Sequence, residues 1–138
     1  MSKEKIKILI VDDDESIRDS LKWHFEDLGY VVTAASEPTL CPVYCHDYCS
    51  VEDRCADVIF IDQNMPEMTG AEFIKMQSER GCKLPTKYKL IMTGAITDEV
   101  QILVESLGCQ VVQKPFTLSD AETFVLSARF DKESGDLP

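Results

Sequence analysis

Val58-Ile59-Phe60-Ile61-Asp62-Gln63-Asn64-Met65-Pro66 decides how this chain is read. Four apolar residues in succession, three of them β-branched, fit a parallel strand covered on both faces. The run then ends in a carboxylate, which places Asp62 at the strand's exit. Outward from this stretch the same design recurs. Residues 6–11 form an apolar run that closes in Asp12-Asp13-Asp14, residues 88–93 end at Thr93, and residues 110–113 stop before Lys114-Pro115-Phe116. Four strand ends thus offer at least three carboxylates, one hydroxyl and one amine.

Helical periods separate these runs. Ile17, Leu21, Phe25 and Leu28 fall on one face of a helix expected from Ser16, as N-cap, to Gly29, as stop. A strand is expected over 30–35, and the central strand over 57–62. A helix follows over 71–80. Val100, Leu103, Val104 and Leu107 mark a helix over 97–107 that stops at Gly108, and Ser119-x-x-Glu122 reads as a capping box opening a last helix to about residue 130. Alternating strands and helices imply an open parallel sheet with right-handed crossovers and helices on both faces. In such folds functional groups gather at the carboxyl ends of the strands, where Asp12, Asp13, Asp62, Thr93 and Lys114 all fall.

The 138 residues suit one domain, expected over 1–130, with a polar, disordered tail over 131–138. A net charge of −11, from 25 acidic and 14 basic residues, disfavours nucleic acid or an anionic membrane as partner. A protein or a cation fits better. The charged N-terminus carries neither a signal-peptide core nor a membrane span, so a cytoplasmic location is expected, where cysteines stay reduced or bind metal.

Carboxylates crowded at adjacent strand ends repel unless a cation joins them. Hard oxygen donors suit Mg²⁺, which keeps part of its shell for water or a phosphoryl oxygen and neutralises charge during in-line transfer. One carboxylate would then be the nucleophile, as in aspartyl-phosphate formation. Lys114 offers a compact positive charge to a phosphoryl oxygen and Thr93 a hydroxyl. Any one of these acids alone would be an ordinary solvated turn residue. Five complementary groups at four strand ends are poorly explained that way.

On these residues the chain resembles the response-regulator receiver domains of bacterial two-component signalling. The resemblance rests on Ile10-Val11-Asp12-Asp13-Asp14, on Ile61-Asp62-x-Asn64-Met65-Pro66 with Gly70, on Met92-Thr93-Gly94 and on Lys114-Pro115-Phe116, and it covers nearly the whole chain. It implies a flavodoxin-like (βα)5 fold, a doubly wound five-stranded parallel sheet of order 2-1-3-4-5. It also implies a phosphoprotein of the stand-alone type, a signalling phosphoacceptor and not an enzyme in the usual sense, catalysing only its own phosphorylation and slow dephosphorylation. By the resemblance Asp62 accepts the phosphoryl group from a sensor histidine kinase or phosphotransfer protein. Asp13 ligates Mg²⁺ directly, Asp12 holds metal-bound water, and Asp62 and the Asn64 carbonyl complete the protein's share. Thr93 and Lys114 read the phosphoryl group, and output passes to a downstream protein, with a homodimer as a further assembly to consider.

Two places depart from the family pattern. Val111 stands three residues before Lys114, where the family often has an aromatic switch residue, and small Ala95 follows Thr93 by two. Residues 37–56 replace the expected second helix with a Cys-rich segment carrying Cys41, Cys45, Cys49, Cys55 and His46. On a regular helix Cys41 and Cys49 would lie about 12 Å apart, too far to share a Zn²⁺ at bonds near ~2.3 Å. A zinc or iron–sulfur site there needs a broken helix, which Pro38 and Pro42 favour; inert small apolar fillers or a redox disulfide are the other readings. Cys82 and Cys109 enter the fourth and fifth strands at the end opposite Asp62, where Cys55 enters the third, and the three could approach one another. The functional readings are therefore a phosphoacceptor, a metal- or redox-sensing module using Cys41, Cys45, Cys49 and Cys55, and, far behind, a phosphatase of the haloacid dehalogenase type, suggested by Asp12-x-Asp14, Thr93 and Lys114. The last gives no role to Asp62.

Overall fold

The protein is described from a computed structural model covering residues 6–38 and 55–134. Strands β1 (Lys7–Val11), β2 (Val31–Ala35), β3 (Val58–Asp62), β4 (Lys89–Thr93) and β5 (Gln110–Gln113) form one parallel sheet in the order β2-β1-β3-β4-β5. Helices α1 (Glu15–Asp27), α2 (Gly70–Glu79), α3 (Asp98–Leu107) and α4 (Leu118–Ser134) connect or follow the strands. α1 packs with α4, and α2 with α3. This is the expected flavodoxin-like α/β architecture. The Cys-rich segment expected in place of a second helix lies, apart from its two ends, outside the described residues, and with it Cys41, Cys45, Cys49 and His46.

Burial follows strand position. Every residue of β3 and β4 is buried, whereas the edge strands β2 and β5 are only partly covered. Phe25, Phe60, Ile8, Ile10, Ile61, Ile74 and Ile91 fill the core, and Phe60 stacks edge-on with Phe124 of α4. Pairing of Val11 with both Ala35 and Ile61, and of Asp62 with Met92, aligns the strand exits. Asp12, Asp62 and Thr93 are thereby set at one sheet edge.

Helix starts differ from expectation in two places, for the same reason. Asp14, not Ser16, caps α1, its Oδ1 accepting from the Ser16 and Ile17 N–H groups at 2.9 and 3.4 Å. An N-cap side chain must sit two or three residues before the amides that it satisfies, so Ser16 falls inside the first turn. Likewise α4 opens on a reciprocal Thr117–Asp120 pair, with Thr117 Oγ1 accepting from Asp120 N–H and Asp120 Oδ2 from Thr117 N–H. Ser119 and Glu122 make no such box; Glu122 reaches across to His24 at 3.1 Å. At the other end α4 runs four residues beyond the expected boundary at 130. Tyr88 donates to Asp131, and Lys132 donates to Asp57 at 3.2 Å, so this last turn is anchored over the entrance edge of the sheet. Gly108 ends α3 in the left-handed region at φ 75°, as expected of a C-terminal glycine.

Candidate functional site

The three acids after β1 divide their work. Asp12 is fully buried and its Oδ1 accepts from the Asp14 N–H at 2.8 Å, which ties the turn. Asp14 caps α1. Asp13 is left exposed. Its carboxylate and those of Asp12 and Asp62 bring oxygens within 4.8 Å of one another. Among the described residues they are the one group of three or more acid, histidine or cysteine side chains close enough to hold an ion. Hard anionic oxygens at this spacing, one of them facing solvent, fit a divalent cation that retains water ligands.

Lys114 meets this group from the end of β5, where its N–H donates to the Thr93 carbonyl at 2.7 Å. Its Nζ lies 2.9 Å from Asp12 Oδ2 and 3.2 Å from Asp62 Oδ1. Burial, and then the charge of Asp12, push the Asp62 carboxyl above its ordinary 3.8, against the opposing pull of Lys114 and the Asn64 N–H. Burial alone would lower the Lys114 ammonium, but the bonds and charges of Asp12 and then Asp62 outweigh it, and the ammonium is held above its usual 10.5. The site thus holds more negative charge than one lysine neutralises.

Asp62 is positioned from behind by the loop to α2. A Cβ on Gly70 would stand 2.8 Å from the Asp62 carbonyl oxygen, so no larger residue fits without displacing that backbone. Gly70 N–H donates to the Gln63 carbonyl at 3.2 Å and Ala71 N–H to Gln63 Oε1 at 3.0 Å. Thr69 and Glu72 close a capping box over the same turn. The sequence motif contains Gly70, and Thr69-x-x-Glu72 carries the capping-box signature that the helix expected from residue 71 passed over, whereas nothing in the local pattern signals Gln63. Arg18, one helical turn past Asp14, donates to the Asp12 carbonyl at 2.9 Å and is equally silent in sequence.

Thr93 reaches the site edge, 2 % exposed, yet its hydroxyl is engaged locally. Oγ1 donates to the Ala95 carbonyl at 3.1 Å and accepts from the Ala95 N–H at 3.3 Å. The next amide, Ile96 N–H, donates to Gln113 Oε1 at 3.3 Å, which links the loop after β4 to the end of β5. Asn64 lies exposed beside Asp62 and bridges to Thr69. Val111 pairs with Ile91 and is half-buried, so β5 carries an aliphatic side chain at the expected switch position.

The remaining cysteines do not assemble. Cys55 is exposed, Cys82 half-buried and Cys109 buried. Among the described residues no ion-holding group contains any of them. Their entry at the same sheet edge, which suggested an approach, spreads them over three loops.

The profile of the response regulator receiver domain matches residues 8–125. The Regulatory protein AtoC of Escherichia coli (strain K12) is 30% identical over 125 residues, 88% of this chain and 25% of that protein. The Response regulator SaeR of Staphylococcus aureus (strain USA300) is 28% identical over 111 residues, 80% of this chain and 44% of that protein. The chain therefore spans less than half the length of these curated relatives. Among solved structures, the CheY-like receiver domain protein of Methanospirillum hungatei is 25% identical at a TM-score of 0.74, with 95% of this chain and 99% of that one covered. The chemotaxis response regulator CheY4 of Vibrio cholerae is 29% identical at 0.68, with 91% and 99% covered. Among the described residues no helix is long and apolar enough to cross a membrane. The sheet order, the acidic group with its lysine and the matched profile agree: this chain belongs to the response regulator receiver domain family.

Proposed function

We propose that the chain is the phosphoacceptor of a two-component relay, taking a phosphoryl group onto Asp62 from a phosphohistidine on a sensor kinase or phosphotransfer protein. The observation that carries this reading is the convergence of the Asp12, Asp13 and Asp62 carboxylates with a lysine bonded to two of them. An Asp62 oxygen attacks phosphorus in line, the new P–O bond forms as the P–N bond of the donor breaks, and the imidazole leaves. Lys114, already 3.2 Å from Asp62 Oδ1, stays to balance the charge of the acyl phosphate. The Thr93 hydroxyl turns from Ala95 to a phosphoryl oxygen, which frees the loop after β4 to move. Asp12, Asp13, Asp62 and the Asn64 carbonyl would hold Mg²⁺, which when bound draws negative charge from the transferring group.

Slow hydrolysis of the phosphoaspartate would be the chain's only turnover, and protein contacts, in the cytoplasm, its output. A strongly acidic surface supports a protein partner over nucleic acid or membrane. Nothing among the described residues favours zinc or an iron–sulfur cluster. A dehalogenase-type phosphatase is disfavoured because it gives Asp62 no role and would need Asp12 as nucleophile, whose two oxygens are both engaged, Oδ1 by the Asp14 N–H and Oδ2 by Lys114.

Incubation with acetyl phosphate and Mg²⁺, read by intact-mass spectrometry, tests the proposal. One phosphoryl group should add to the wild type and none to Asp62→Asn. Phosphorylation of the Asn variant would overturn the assignment.

A further inference from the structure

The loop after β4 is tethered from outside at one point. Gly94, Ala95 and Ile96 are exposed, and Thr97 already caps α3, its Oγ1 accepting from the Val100 N–H at 3.1 Å. Thr93 and Ala95 bond only each other. Among the described residues the single hydrogen bond that reaches residues 94–96 from an element not adjoining the loop runs from the Ile96 N–H to Gln113 Oε1, at 3.3 Å. Gln113 is the register partner of Thr93 on β5, and the N–H of the next residue, Lys114, donates to the Thr93 carbonyl at 2.7 Å. Gln113 is therefore fixed to the end of the sheet and not to the loop that it holds. Beside the loop lies a cleft of about 280 Å³ walled by Asn64, Thr93, Ala95, Thr97, Val100 and Leu103, which leaves room next to the site for the loop to move.

We propose that Gln113 is a positioning residue, a latch that pins Ile96 and so holds the loop after β4 in its resting place until a phosphoryl group at Asp62 draws Thr93 away. This regulation rests on the phosphoacceptor reading. When the Thr93 hydroxyl leaves Ala95 for a phosphoryl oxygen, Ala95 is released but Ile96 is not, because its partner belongs to β5. The loop enters the cleft only when the Ile96–Gln113 bond opens. Both groups then meet water, since each residue is exposed, so opening costs no more than the modest net value of one hydrogen bond. A bond of that size shifts a two-state balance by about fivefold. That is enough to bias the resting chain and small enough for a bound phosphoryl group to overcome.

The test titrates the whole chain with beryllofluoride and Mg²⁺, a stand-in for the bound phosphoryl group, and follows the amide NMR signals. Gln113→Met keeps the length of the side chain and removes the acceptor. It should lower the beryllofluoride midpoint about fivefold and, before any is added, move the Ile96 amide signal toward its position in saturated wild type. A substitution that only damaged the site would raise the midpoint. An unchanged or higher midpoint in Gln113→Met, with wild type binding beryllofluoride, would overturn the latch and leave Asp62 as the phosphoacceptor. Wild type alone supplies a second check that does not depend on the variant folding: saturation should quicken hydrogen exchange at the Ile96 amide, and unchanged exchange would equally overturn the latch. No binding of beryllofluoride by wild type would overturn the phosphoacceptor reading and the latch with it.

Discussion

Strand β4 begins and ends in opposite electrostatic predicaments. At its exit edge, beside Thr93, two buried carboxylates and an exposed one surround the single ammonium of Lys114. At its entrance Lys89 is buried, with Cys82 Sγ as its one hydrogen-bond partner among the described residues. The exit edge has surplus anion and calls for an added cation. The entrance edge holds no such acidic cluster among the described residues. The two edges should respond differently when the lysine is removed.

The largest expected effect that separates the edges is chemical. Asp62→Asn should lose phosphorylation by acetyl phosphate entirely, while every thiol reacts as before. Next comes stability. Lys114→Met strands two buried carboxylates and should cost about 3 kcal/mol in urea unfolding without metal, a loss that added Mg²⁺ should recover. Lys89→Met strands no carboxylate bonded to it among the described residues and should change stability by less than about 1 kcal/mol in either direction. Equal losses for the two lysines would erase the distinction. Gly70→Ala, which forces a methyl to 2.8 Å from the Asp62 carbonyl, should lower stability by about 1–3 kcal/mol and slow phosphorylation by tilting the nucleophile.

A smaller effect sharpens the account of the exit edge. Because the folded chain holds the Asp62 proton more tightly than the ordinary value of 3.8, the folded state binds more protons than the unfolded state just above that pH. Stability there falls as pH rises. Asp62→Asn should therefore stabilise the metal-free protein at neutral pH, by about 1 kcal/mol, and the gain should vanish below about pH 4. A gain that persists in acid would point to packing and not charge. Asp120→Ala, which removes the reciprocal cap of α4, should cost about 1 kcal/mol in thermal unfolding, and Glu122→Ala less.

Much of the exit edge is legible in the sequence because apolar runs that end in Asp, Thr or Lys announce both a strand and what it delivers. Asp12, Asp62, Thr93 and Lys114 are brought to one edge by the expected strand order. Asp14 was less readable: three consecutive acids look alike in sequence, and only backbone direction separates the buried turn-former, the cap and the solvent-facing ligand. Thr117 and Ser119 are both plausible caps by composition, and the choice depends on which oxygen reaches which amide. Orientation of the Thr93 hydroxyl toward Ala95 has no sequence signature at all. Neither does the Lys89–Cys82 contact, since it joins a strand residue to the end of a preceding helix loop and a lysine at the start of an apolar run reads as an ordinary boundary charge.

If the chain is the phosphoacceptor proposed above, the two hydrogen bonds that tie Thr93 to Ala95 would set how quiet the resting protein is. If each contributes about 1 kcal/mol, breaking both disfavours another loop arrangement by roughly thirtyfold, and on the proposed phosphoacceptor reading a few per cent of unphosphorylated chains would occupy it. That fraction would be the background against which a partner has to detect a signal. A replacement that keeps the phosphoacceptor but weakens this tie, such as Thr93→Ser with its extra rotamer freedom, would raise the noise before it dimmed the message.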